Sequence, residues 1–81
     1  MEGGGEEELI LYVAKALVDE PEAVKLHARE DEGLIVYELQ VAANDVGKVI
    51  GRDGRTARAL RTLVTAASAK RRQRAMLQIV E

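Results

Sequence analysis

With 81 residues, the chain has room for one hydrophobic core and none for a second. The absence of cysteine excludes disulfides, thiolate metal sites and thiol nucleophiles, and it suits a reducing compartment. The formal net charge is -2, the amino terminus is acidic where a signal peptide would be basic, and no apolar run approaches the ~18 residues of a membrane span, so we expect a cytoplasmic protein with no membrane contact.

The charges are divided unevenly between the two halves of the chain. Residues 1–45 contain twelve acidic and three basic side chains, whereas residues 46–81 contain two acidic and nine basic ones. A basic half of this kind favours a face that binds a polyanion. Charge alone leaves a second interpretation open, in which the surface is solvated and the two halves attract each other.

A helix and two strands are predicted in the first half, after a flexible, acidic and glycine-rich segment at residues 1–5. Apolar residues at helical spacing predict an amphipathic helix that ends before Pro21: Leu9, Tyr12, Val13, Ala16 and Leu17. Apolar residues then recur at every second position in two segments: Val24, Leu26 and Ala28, and Ile35, Tyr37, Leu39 and Val41. This alternation predicts two strands joined by a short acidic turn at residues 30–33.

Two helices and a closing strand are predicted in the second half. Asn44 is the predicted N-cap of a short helix from Asp45 to about Ile50. A second helix is predicted from about Gly54 to Lys70, with an apolar stripe at Ala57, Leu60, Leu63, Val64 and Ala67. Alternation over residues 74–80 predicts a final strand. The expected order is helix, strand, strand, helix, glycine loop, helix, strand.

The glycine loop between the two helices carries the predicted chemistry. Gly51 and Gly54 flank a tight turn, and the first N–H groups of the second helix lie beside it, which makes a site for an anion such as phosphate. Arg52 and Arg55 add full positive charges. Asp53 adds a negative charge, which either weakens phosphate binding or caps the following helix through its carboxylate.

A groove for unpaired bases is expected beside this loop. Val49 and Ile50 would back the loop, and Leu39 or Val41 of the second strand would form the floor of the groove. The candidate site residues of the loop and groove are Leu39, Val41, Lys48, Val49, Ile50, Gly51, Arg52, Asp53, Gly54, Arg55 and Arg58.

The sequence Val-Ile-Gly-Arg-Asp-Gly-Arg at residues 49–55 resembles the Val/Ile-Ile-Gly-x-x-Gly signature of KH domains. The order αββααβ is similar to the type II, bacterial form of that fold. Residues 45–51 and 54–61 most resemble the small bacterial RNA-binding proteins of the KhpA (YlqC) family. The resemblance implies a single α+β domain over residues 6–81, with a three-stranded sheet, helices packed on one face, and about four nucleotides of single-stranded RNA at the loop.

The resemblance also implies partners and roles that no residue spacing shows. Members of the family are expected to form a homodimer, or a heterodimer with a second KH-containing protein. They are expected to act as RNA chaperones or post-transcriptional regulators, with a part in cell shape and cell wall growth.

Binding is favoured over catalysis. His27 has no cysteine or second histidine with which to form a metal site. Ser68, the only serine, lies late in a predicted helix and fits no Ser-His-Asp catalytic set. Residues 47–54 match neither of the glycine motifs that bind nucleotides, Gly-x-x-x-x-Gly-Lys-Ser/Thr and Gly-x-Gly-x-x-Gly. We therefore expect no enzyme activity, no metal, no cofactor and no small-molecule substrate.

Three alternatives stay open at this stage. The chain is either an RNA-binding protein or a protein–protein dimerisation module with little intrinsic RNA affinity. The basic run at residues 70–74 either extends the RNA contact or is a solvated helix end. Tyr12 and Tyr37 are expected in the core rather than as stacking platforms for bases.

Overall fold

The structure, a computed structural model, describes residues 4–81. The elements are α1 (Gly4–Leu17), β1 (Lys25–Asp31), β2 (Leu34–Gln40), α2 (Val46–Ile50), α3 (Arg55–Lys70) and β3 (Arg74–Val80). One-turn 3₁₀ helices precede β1, α2 and α3. The predicted α+β class and the order αββααβ are confirmed. Of the segment predicted to be flexible, residues 1–3 lie outside the described residues, and α1 begins at Gly4.

The three strands form one sheet with β2 in the middle. β1 is antiparallel to β2, and the two are joined by a two-residue turn at Glu32 and Gly33. Both turn residues have positive φ, at 53° and 83°, which is the type I′ geometry that matches strand twist. β3 is parallel to β2. Parallel neighbours require a crossover connection, and α2, the glycine loop and α3 form it.

The core lies between the sheet and the helices. Tyr37 and Leu39 of β2 and Leu77 of β3 share one face of the sheet and are at most 2% exposed. Leu60 and Val64 of α3 are also buried, so this helix packs on that face. Each such aliphatic side chain stabilises the fold by about 1.5–3 kcal/mol. The core location predicted for Tyr37 is confirmed.

The buried face of α1 differs from the predicted stripe. Ile10 and Ala14 of α1 are buried, as is Val18 directly after the helix, whereas Leu9 is 41% and Tyr12 75% exposed. Residues 9–14 are all apolar, so more than one helical stripe fits the sequence, and packing against the rest of the fold selects between them. The prediction of the α1 stripe, and with it the core location of Tyr12, is wrong.

A buried carboxylate fixes the face that α1 presents. Glu6 is 6% exposed, forms an ion pair with Arg71 and accepts a hydrogen bond of 3.4 Å from the Ser68 hydroxyl. Because an unpaired buried charge is costly, this contact favours the rotation of α1 that brings Glu6 to the end of α3. The first turn of α1 is thereby joined to the last turn of α3.

Candidate nucleic-acid interface

Asp45 anchors the elements that lead into the glycine loop. Its carboxylate is 1% exposed and accepts hydrogen bonds from the backbone N–H groups of Asp19, at 3.2 Å, and Glu20, at 3.1 Å. Burial opposes ionisation, but these N–H groups and the Lys48 ammonium outweigh it and hold the pKa of Asp45 below its ordinary value. Asp45 itself is the N-cap residue of α2, so the N-cap predicted at Asn44 is wrong.

The glycine loop has an unusual backbone that explains its sequence. Gly51 has φ 79° and ψ 172°, a region that only glycine populates readily. A Cβ at this position would overlap the Thr56 side chain. Asp53 and Gly54 have φ of 56° and 74°, and left-handed backbone of this kind is tolerated by Asp, Asn and Gly.

Asp53 therefore serves the turn rather than the helix. The N-cap of α3 is Gly54, and no side chain makes a capping hydrogen bond there. The helix-capping interpretation of Asp53 is wrong, and its left-handed conformation gives the reason for an aspartate at this place.

Two backbone N–H groups of the loop are available to a ligand. Gly51 donates to the Gly47 carbonyl at 2.9 Å, and Gly54 donates to the Gly51 carbonyl at 3.1 Å. Arg55 donates to the Arg52 carbonyl. Within residues 4–81, the N–H groups of Arg52 and Asp53 have no backbone acceptor. The other three N–H groups between residues 51 and 55 are used within the backbone, so the loop offers a ligand two amides.

Positive charge surrounds these two amides. Arg52 and Arg55 are exposed, and neither forms an ion pair with another described residue. Arg58, one turn into α3, donates from Nη2 to the Asp53 carbonyl at 3.0 Å. That contact joins a guanidinium to the loop backbone and leaves its remaining N–H groups free.

Lys48 contributes less positive potential than its position in the sequence suggests. Its Nζ lies 3.2 Å from Asp19 and 3.5 Å from Asp45. The hydrogen bond and charge of Asp19, followed by those of Asp45, raise the pKa of Lys48. A phosphate would have to compete with both carboxylates for this ammonium.

The predicted floor of the groove is wrong. Leu39 and Val49 are 0% exposed and Val41 is 3% exposed, so these core residues offer no surface to a base. The strand that packs against α2 and α3 is β3, at the edge of the sheet. Ile50, at 38% exposed, is the predicted apolar residue that does present surface beside the loop.

Arg61 is a residue of this region that the sequence-based set of site residues does not include. Its Nε donates to the Leu77 carbonyl of β3 at 3.3 Å, so the side chain bridges α3 and the edge strand. The available signal was the helical connection between the second and third predicted strands, since a connection of this kind permits parallel pairing with the last strand next to α3.

Comparison with known proteins identifies the family. A family profile described as "KhpA/KhpB, KH domain" matches residues 7–79. The chain belongs to the KhpA/KhpB KH-domain family. A relative in Treponema pallidum is 51% identical over 76 residues, which cover 94% of this chain and 95% of the relative. A second, in Borreliella burgdorferi, is 49% identical over 80 residues, 99% of this chain and 98% of the relative. Both relatives carry the name RNA-binding protein KhpA.

The KhpA/KhpB assignment confirms the resemblance predicted from residues 45–61 and the KH fold. The matched range, 7–79, includes the glycine loop and both helices beside it. Within the described part of this KhpA/KhpB domain, no three His, Cys, Asp or Glu side chains gather into a metal-binding group. Among residues 4–81, no helix has the length and apolar character needed to cross a bilayer.

Proposed function

We propose that this chain binds single-stranded RNA, without catalysing a reaction, and holds about four nucleotides beside the Gly51–Gly54 loop. The observation that carries the proposal is the pair of free N–H groups at Arg52 and Asp53, set among arginines that have no carboxylate partner within residues 4–81. A phosphate accepts hydrogen bonds from such amides and gains from the neighbouring charges. The name of the relatives, RNA-binding protein KhpA, supports RNA as the polyanion.

The bases would lie between the loop and the edge strand. Ile50 offers apolar surface there, and Arg61 crosses from α3 to β3. Flat guanidinium groups and apolar side chains both stack on unpaired bases, whereas a base inside a duplex is not available for such contact. The chain has no Phe or Trp, so recognition would depend on phosphate contacts more than on aromatic stacking.

The experiment is charge reversal in the loop. Arg52→Asp is expected to abolish binding of a labelled oligouridylate in a fluorescence anisotropy titration, with the circular dichroism spectrum unchanged because Arg52 is exposed. Lys25→Asp is the matched control, since it reverses an exposed charge on β1 and should leave binding within about twofold. Equal affinities of wild type and the loop variant would refute the role of the loop.

Salt dependence provides a second measurement. If three or four basic side chains contact phosphates, the logarithm of the affinity should fall against the logarithm of salt concentration with a slope of roughly -2 to -3. A slope near zero would show that the association is not with the RNA backbone.

A second function, dimerisation, is favoured by an exposed apolar cleft between α1 and α3. Leu9 and Leu63, at 41% and 43% exposed, line it together with Ala66 and Ala67. Tyr12 lies one turn along α1 from Leu9 and is also exposed. Exposed apolar surface of this kind is typical of a protein–protein contact.

We infer that a second copy of the chain covers this cleft. Glu7 and Glu8 lie on α1 and Lys70 on α3, so a two-fold axis along the cleft would pair the acidic helix of one copy with the basic helix end of the other. Leu63→Glu is expected to convert a dimer into a monomer in sedimentation velocity. A wild-type chain that sediments as a monomer at high concentration would contradict this proposal.

The remaining roles rest on the family alone. A heterodimer with a second KH-containing protein, work as an RNA chaperone or post-transcriptional regulator, a cytoplasmic location, and a part in cell shape and cell wall growth are proposals of this kind. Crosslinking in cells, followed by sequencing of the recovered RNA, would test the regulatory role.

A further inference from the structure

A shallow cleft lies on the exposed face of α3, next to the apolar cleft between α1 and α3, with which it shares Ala66. Its volume is about 410 Å³, and it is lined by Arg58, Arg61, Thr62, Thr65, Ala66 and Ala69. None of the predicted site residues except Arg58 belongs to it. Its lining comes from one helix, so the cleft is open along the helix axis.

The side chains of this cleft suit a phosphate backbone. No ion pair within residues 4–81 uses Arg58 or Arg61, so their charges are not compensated by a described carboxylate. Each guanidinium is held by one hydrogen bond to a backbone carbonyl, which leaves further N–H groups for a ligand. Thr62 and Thr65 add hydroxyl donors, and the two alanines leave room beside them.

The cleft is continuous with the glycine loop. Arg58 belongs to both, because it donates to the Asp53 carbonyl at 3.0 Å and also lines the cleft. A rise of about 1.5 Å per residue places Thr65 roughly 10 Å farther along α3 than Arg58. A strand that contacts the loop and continues in this direction therefore meets Arg58, Arg61 and the threonines in turn.

We propose that this face of α3 is a second RNA subsite, which binds the sugar-phosphate backbone of nucleotides beyond those held at the loop. The proposal rests on the proposed function. Contact through arginine and threonine to phosphates carries no information about base identity. The subsite therefore adds affinity for longer RNA and adds no sequence preference.

The test compares two RNA lengths, a tetranucleotide and an octanucleotide of uridine, in the same anisotropy titration. The variant is Thr62→Glu with Thr65→Glu, which places carboxylates one turn from Arg58 and Arg61 and compensates their charge. Glutamate has a higher helix propensity than threonine, so α3 remains folded. His27→Glu with Gln40→Glu, on β1 and β2 and outside both the cleft and the basic run at residues 70–74, adds the same charge and is the control.

The cleft variant should lose about three- to tenfold more affinity for the octanucleotide than for the tetranucleotide, because Arg58 and Arg61 also border the loop site and both lengths feel their compensated charge. An equal loss for the two lengths would overturn the subsite. The salt slope of wild type should be steeper for the octanucleotide by roughly 0.7 for each added phosphate contact. Equal affinity of wild type and cleft variant for the octanucleotide would overturn the subsite. If Arg52→Asp loses affinity for both RNA lengths and the cleft variant loses affinity for neither, the loop proposal is supported and the subsite is refuted. Unchanged binding in Arg52→Asp would refute the loop instead.

Discussion

Alanine at Gly51 is expected to destabilise the domain more than alanine at any neighbouring glycine. The backbone at φ 79° and ψ 172° costs a residue with a side chain about 1–3 kcal/mol. The added Cβ would lie 2.8 Å from the Cβ of Thr56 and 3.0 Å from its backbone nitrogen. Such crowding costs about 1–3 kcal/mol more. Partial relaxation of the loop leaves an expected loss of about 2–4 kcal/mol in the free energy of unfolding.

Two other glycines provide matched controls with different expected signs. Gly54 has φ of 74°, and a Cβ there meets only Arg58 Nη1 at 3.9 Å, so alanine should cost about 1–2 kcal/mol for the left-handed backbone alone. Gly47 lies inside α2, and a Cβ added to it would meet nothing within 4 Å. Alanine there should stabilise the protein by about 0.5–1 kcal/mol.

Urea unfolding followed by far-UV circular dichroism measures all three variants. From the most to the least stable, the expected order is Gly47→Ala, wild type, Gly54→Ala and Gly51→Ala. If Gly51→Ala proves as stable as Gly54→Ala, then Thr56 does not restrict the loop, and the crowding assigned to Gly51 is refuted. RNA titration of the same variants shows whether loop geometry and affinity change together.

Three further changes test other parts of the fold. The pKa of Asp45 is lower in the folded protein than its ordinary value of 3.8, so its ionised carboxylate stabilises the fold above pH 3.8, and this contribution is lost as pH falls through the folded pKa. Asp45→Asn should therefore be less stable than wild type at neutral pH. In urea unfolding at decreasing pH, the variant should also lose less stability than wild type. Glu32→Asn should stabilise the hairpin by about 0.5–1 kcal/mol, because Asn-Gly suits the positive φ at Glu32 and Gly33, and a lower urea midpoint would contradict the turn assignment. Arg71→Met should cost about 1–3 kcal/mol by leaving the carboxylate of Glu6 without its ion pair, and thermal unfolding unchanged from wild type would show that this pair is not stabilising.

The glycine loop was predictable because its signal is local. Gly51 directly follows α2 and Gly54 directly precedes α3, and their backbone requirement is present in the sequence itself. The hairpin was predictable for the same reason, since Glu32-Gly33 separates two alternating segments. Arg52, Arg55 and Arg58 all lie at the loop as expected.

The buried face of α1 and the floor of the groove were not predictable, because both depend on contacts between residues that are distant in the sequence. Glu6 selects the rotation of α1 through Arg71, 65 residues away, and no local pattern shows that pair. Leu39 was expected to be available to bases because alternation cannot tell a central strand from an edge strand. Leu39 lies on the face of the sheet that the helices cover, and the pairing of β3 with β2 makes β3 the edge strand that Arg61 contacts.

The hydrogen bond from Arg61 to the Leu77 carbonyl also bears on edge-to-edge aggregation through β3. β3 is an outer strand, and the unpaired main-chain groups of an outer strand are a template on which a strand from another molecule can assemble. The Arg61 guanidinium lies at the edge of β3 and occupies one carbonyl acceptor of that strand. It therefore makes the pairing of β3 with a strand of another molecule less favourable. Substituting Arg61 should thus raise the tendency to aggregate even where folding is unimpaired.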